Sequence, residues 1–184
     1  MINQKIKNLV LTAMFLAIGL VLPLLTGQIR EIGNMLLPMH LPVFLCGLIC
    51  TWNYGLVLGL VMPIMRSAIF HMPVMYPNAV AMAFELATYG LVAGYLYGKS
   101  KYKCTKAIYK SIIPAMVAGR LVWGVAEIIL LGISGKMFTF SAFAAGAFLN
   151  SVPGIIAQLV LIPAIMVALG KAKFVPLIRK KTKQ

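Results

Sequence analysis

Four ionisable side chains interrupt long apolar runs: Arg66, Glu85, Arg120 and Glu127. Each costs about 2.5–3.5 kcal/mol at membrane depth, so each is expected to face protein or water and to meet a partner. Arg120, Trp123 and Glu127 share one helical face by their spacing of three and four. Two chemistries fit these residues. One is a pair of buried ion pairs, Arg66 with Glu85 and Arg120 with Glu127, holding helices in register. The other is a polar pocket open to one side, in which a guanidinium grips a carboxylate or phosphate. Two arginines against two carboxylates would instead cancel and leave a neutral pocket. Other polar side chains fall at a similar level. The segment "FHMPVMYPNAV" contributes His71, Tyr76 and Asn78, and Tyr89, Asn150 and Gln158 come from later segments.

Catalysis finds little to work with. The chain has three carboxylates and two histidines, no His, Asp and Ser set, and no HExxH spacing. Cys46 and Cys50 stand four apart and Cys104 lies among lysines, which gives neither a metal-type CxxC pair nor a disulfide framework. The expectation is a protein that is not an enzyme and carries no metal or cofactor.

The elements that must position these residues are membrane helices. Of 184 residues, 61% are hydrophobic, and the mean hydropathy is +0.95, which places the chain in a lipid bilayer. Runs long enough for a hydrocarbon core of about 30 Å cover roughly 8–26, 35–52, 54–72, 78–98, 107–133 and 145–170. The predicted fold is all-α: one polytopic bundle of six transmembrane helices over 1–184. No small-residue cleavage pattern follows the first run, so that helix is expected to stay.

A formal charge of +14 could signal nucleic acid. The distribution argues otherwise. The basic residues cluster at Lys5 and Lys7, Lys99 to Lys110, and Lys171 to Lys183, without interleaved base-stacking aromatics. With six spans every cluster falls on one side, which the positive-inside rule makes the cytoplasm, with both termini there. Small residues recur every four positions, in Ala13 and Ala17, Gly55 and Gly59, Ala83 and Ala87, and Gly90, Gly94 and Gly98. Such ridges let helices pack closely in lipid. Ala13 and Ala17, on the first helix, could instead present a smooth outer stripe to another protein.

The stretch "GNMLLPMHLPVFLCGLIC" (33–50) puts Pro38 and Pro42 around His40. Proline removes a backbone donor and restricts the residue before it. The chain is therefore expected to enter the second span irregularly, as backbone lining a cavity can, or as a loop with proline in the first helical turn. In the first case residues 33–40 form part of a lid, with Asn34 and His40 near a guest.

Together, the six spans, the Ala13/Ala17 spacing, "LLPMHLPVFLCGLICTWNYG" and "AMAFELATYGLVAGYLYG" resemble the substrate-binding S-components of energy-coupling factor transporters, over nearly the whole chain. That resemblance implies a subunit of a prokaryotic plasma-membrane importer that captures a vitamin or related micronutrient near the outer surface. It implies that Ala13 and Ala17 pack against a transmembrane coupling subunit, with two cytoplasmic ATPases energising the complex. Asn34, His40, Arg66, Asn78, Glu85, Tyr89, Arg120, Trp123, Glu127 and Asn150 are then the expected substrate-site residues. The "LPMHLP" segment is most similar to the branch that includes pantothenate uptake. A membrane-embedded enzyme or assembly factor is the alternative; a self-sufficient transporter is disfavoured by the lack of inverted repeats with broken helices.

Overall fold

The structure, a computed structural model, describes residues 4–25, 38–135, 152–172 and 174. Among them are six helices and no strand: α1 (Gln4–Leu25), α2 (His40–Cys50), α3 (Trp52–Phe70), α4 (Val80–Lys99), α5 (Thr105–Ile133) and α6 (Val152–Lys171), with a short turn, Met75–Ala79, leading into α4. Five of these are long and apolar enough to cross a membrane. The chain is therefore an all-α, multi-pass membrane protein.

The exception is α2. Its 11 residues rise about 16 Å at 1.5 Å per residue, half of a hydrocarbon core. Within the span expected over 35–52, Pro38 and Met39 form a turn and the helix begins at His40. Pro42 then occupies the first turn of α2, where an N–H would have no intrahelical acceptor in any case. The remaining lid residues expected over 33–37, Asn34 among them, lie outside the described residues.

Close backbone contact organises the centre. The chain reverses from α2 to α3 through the single residue Thr51, whose φ is 116°. Gly47 and Gly55 meet just beyond that reversal, and α4 lies against both through Gly90. A methyl group on Gly55 would fall 2.7 Å from Gly47 Cα, and one on Gly47 would fall 2.5 Å from Gly90 O. One on Gly90 would collide with the Gly55 backbone. In lipid, where packing replaces hydrophobic exclusion as the driving force, such contact is what small residues make possible. The expected ridge thus holds at Gly90 and Gly94, whereas Gly98 meets nothing within 4 Å.

Phe44, Leu86, Ile108, Ile112, Ile162 and Met166 fill the interior around this contact. Outward faces are apolar too: Val117, Leu121, Val125 and Ile128 form an exposed stripe along α5, as a lipid-facing helix requires.

Polar contacts fix the ends of α1. Asn8 Nδ2 donates 2.8 Å to Cys50 O, a carbonyl at the end of α2. Arg66 Nη1 donates 3.1 Å to Leu20 O. The start of α1 thus lies beside the end of α2, and its far end beside that of α3. Gly94 packs on Trp52, setting the end of α4 beside the start of α3. Lys103 donates to the carbonyls of Tyr97 and Gly98, closing the last turn of α4. Antiparallel packing therefore gathers Lys5, Lys7 and the lysines between α4 and α5 at one end of the bundle. His40, Glu85 and Glu127 belong to the opposite half.

Candidate functional site

The site is built on three helices that cross near the first turns of α2 and α4. Glu85 and Tyr89 stand four apart on α4, so their side chains share a face. The Tyr89 hydroxyl donates to Glu85 Oε1 at 2.6 Å. From α5, Arg120 Nη1 reaches the same oxygen at 3.0 Å. From the start of α2, His40 Nε2 stops at 3.8 Å, beyond hydrogen-bond length. The Tyr89 ring stacks on Phe44 with centroids 4.8 Å apart and lies tilted 5.4 Å from His40. On α5 the ring meets Gly119, where any side chain would collide with it.

Burial makes this network consequential. Glu85 and His40 are each 1% exposed and Arg120 7%. A buried ion pair is tolerated when its remaining polar atoms are satisfied, and here some are not. Among the described residues, Arg120 Nε and Nη2 and both ring nitrogens of His40 have no hydrogen-bond partner. Such orphans are rare in native interiors and ask for an explanation.

The pairing differs from that expected along the sequence. Arg120 joins Glu85 across helices rather than Glu127 on its own. Seven residues along one helix span about 10 Å, too far for Arg120 and Glu127 to meet directly, while α4 and α5 pack side by side. Arg66 is committed elsewhere, to Leu20 O and to the face of Phe70 at 5.5 Å. Glu127 is buried, and among the described residues no cation pairs with it.

The other expected site residues divide in the same way. Trp123, half-buried, lies one turn beyond Arg120 on α5. Asn78 is exposed in the Met75–Ala79 turn. Tyr76 in that turn donates to Leu130 O, tying it to the end of α5. Gln158 is buried on α6, and Asn150 lies outside the described residues. Sequence reasoning missed Phe44 and Gly119. Phe44 stands one turn after His40, and Gly119 immediately precedes Arg120; either offset could have been read as a ring or a gap beside a charged site.

Ala13 and Ala17 are exposed on α1, flanked by exposed Val10, Met14, Ile18 and Val21. The other side of α1 packs on α2 and α3 through Leu11, Phe15 and Leu16. Among the described residues, no three His, Cys, Asp or Glu side chains gather as metal ligands. What the cluster offers instead is non-covalent: fixed donors on a buried guanidinium and an adaptable imidazole.

The family model described as "ECF transporter, substrate-specific component" matches residues 7–173. Neither a curated protein nor a solved structure matches the chain.

Proposed function

The chain belongs to the substrate-specific components of ECF transporters, and from that premise we propose that the cluster of His40, Glu85, Tyr89 and Arg120 receives a small vitamin-like molecule. The observation that carries this reading is the set of unpartnered buried donors on Arg120 and His40. A guest that supplies acceptors there would satisfy groups that otherwise cost roughly 1–3 kcal/mol each. Trp123 and Glu127 on α5 and Asn78 above α4 extend the site toward the same end, with Asn34 and Asn150 as further contacts from the flanking segments.

In this reading the lysine-rich end faces the cytoplasm, in keeping with the positive-inside rule, and both termini are cytoplasmic. The site then opens to the outside of a prokaryotic plasma membrane. The exposed Ala13/Ala17 stripe meets the transmembrane coupling subunit, and two ATPase subunits drive delivery of the guest. Pantothenate, to which the sequence resemblance points, would need a guanidinium for its carboxylate. Arg66 is engaged by the α1 backbone and Arg120 by Glu85, so support for that vitamin comes from the resemblance.

The test uses the purified full chain in lipid nanodiscs. A bound guest stabilises the folded state by about 2.7 kcal/mol at a hundred times its dissociation constant. At least one vitamin in a panel should therefore raise the unfolding midpoint, or a small molecule should be carried through purification. If neither occurs, the reading fails.

A further inference from the structure

Resting on the reading of this cluster as the substrate site, the charge balance around Arg120 goes on to indicate what kind of guest it takes. Nη1 is used by Glu85 Oε1. Nε and Nη2, unpartnered among the described residues, present two roughly parallel N–H bonds along one edge of the guanidinium plane, which suits a pair of acceptor lone pairs. A carboxylate is the usual occupant of such an edge. Here the cation is already matched by Glu85.

Around the pair the described groups supply no spare positive charge: Arg120 is matched by Glu85, Arg66 is held at Leu20 O, and Glu127 is a buried carboxyl. A carboxylate guest would bring one uncompensated negative charge into a region where Glu85 is 1% exposed, and burying an unpaired charge is among the costliest changes a protein interior can undergo. An uncharged acceptor would use the same two N–H groups without that cost. His40 adds a second requirement. An imidazole in its neutral form offers one donor and one acceptor, and neither ring nitrogen has a hydrogen-bond partner among the described residues, Nε2 standing 3.8 Å from Glu85 Oε1. A planar amide, urea or ring lactam supplies the complementary acceptor and donor together.

We infer that the guest is uncharged and carries a planar amide-type group, held by the Nε/Nη2 edge of Arg120 and by His40. The experiment compares matched pairs that differ only in that group, nicotinamide with nicotinate and pantothenamide with pantothenate, by calorimetry on the full chain in nanodiscs. Any molecule released from the purified chain is identified by mass spectrometry. The carboxamide is expected to bind more tightly than its carboxylate, on the order of a hundredfold. Glu85→Gln, which leaves Arg120 unmatched, should shift preference toward the acid, and size-exclusion chromatography reports whether that variant folds. A released neutral amide or lactam supports the inference. Tighter binding of the carboxylate by wild type, or release of an organic anion, overturns the inference and leaves the transport reading standing. If no probe binds and nothing is released, the inference is overturned, and the transport reading falls with it only when the vitamin panel also leaves the unfolding midpoint unchanged.

Discussion

Removing one member of the Glu85–Arg120 pair should cost far more than its share of removing both. Glu85→Leu strands the Arg120 guanidinium, 7% exposed, with no carboxylate paired to it among the described residues. Arg120→Met leaves Glu85 with the Tyr89 hydroxyl as its hydrogen-bond donor. Breaking a buried pair from either side typically costs about 3–5 kcal/mol, because an uncompensated charge stays behind. For a chain of this size that corresponds to roughly 6–20 °C in unfolding midpoint. Independent losses would sum to about 6–10 kcal/mol in the double variant, yet the double variant holds neither charge. We therefore expect it to lose no more than about one single variant does, a coupling energy of about 3–5 kcal/mol. Steric trapping in one fixed lipid composition measures all four corners of the cycle, and Tyr89→Phe, which removes one hydrogen bond to a charged group, should cost about 1.5–3 kcal/mol. Losses that add to within about 0.5 kcal/mol would refute the claim that these side chains form one buried unit.

Further predictions follow from the packing and from the outer face. Gly90→Ala forces a methyl group into the Gly55 backbone and should destabilise by about 1–3 kcal/mol, whereas Gly98→Ala meets open space and should be neutral or stabilise by up to about 1 kcal/mol; thermal unfolding separates the two. Arg66→Met removes a charged hydrogen bond to Leu20 O and should cost about 1.5–3 kcal/mol while ligand affinity stays within about twofold, so a large loss of affinity in calorimetry would return Arg66 to the site. Ala13→Trp and Ala17→Trp fall on an exposed face and should leave folding and ligand binding unchanged while co-purification with the coupling subunit is lost. Loss of folding in those variants would mean that α1 packs differently.

The parts of this architecture legible in the sequence are those governed by hydrophobic length and by charge. Four expected spans correspond to helices within a few residues, and the last does so over its described part, Val152–Lys171, because a run that must cross lipid can satisfy its backbone only as a helix. The second span is where the reading blurred. Its hydropathy extends from residue 35 to 52, but the turn at Pro38 and Met39 leaves a helix of 11 residues. Hydropathy reports what is buried and cannot tell lipid-buried from protein-buried. Nearly every residue of α2 is buried by its neighbours, so an apolar stretch of that composition need not be a full span. Prolines flanking His40 were the local signal that it is not.

For the candidate site, the sequence singles out the buried charges and does not show how they pair. Arg66, Glu85, Arg120 and Glu127 stand out because a charge in an apolar run demands a partner, but which partner depends on how far helices slide past one another. That register is set by backbone contacts among Gly47, Gly55 and Gly90, residues with no chemistry of their own. Once α4 is seated there, Glu85 sits one turn from Tyr89 on the face that meets α5, where Gly119 leaves room for the Tyr89 ring beside Arg120, which reaches the carboxylate. The glycine ridge and the polar cluster thus occupy different faces of α4: Gly90 and Gly94 seat the helix on α2 and α3, and Glu85 and Tyr89 are turned toward α5. A substitution that widens the glycine contact would therefore be felt at Arg120 through helix position rather than through any chain of polar contacts.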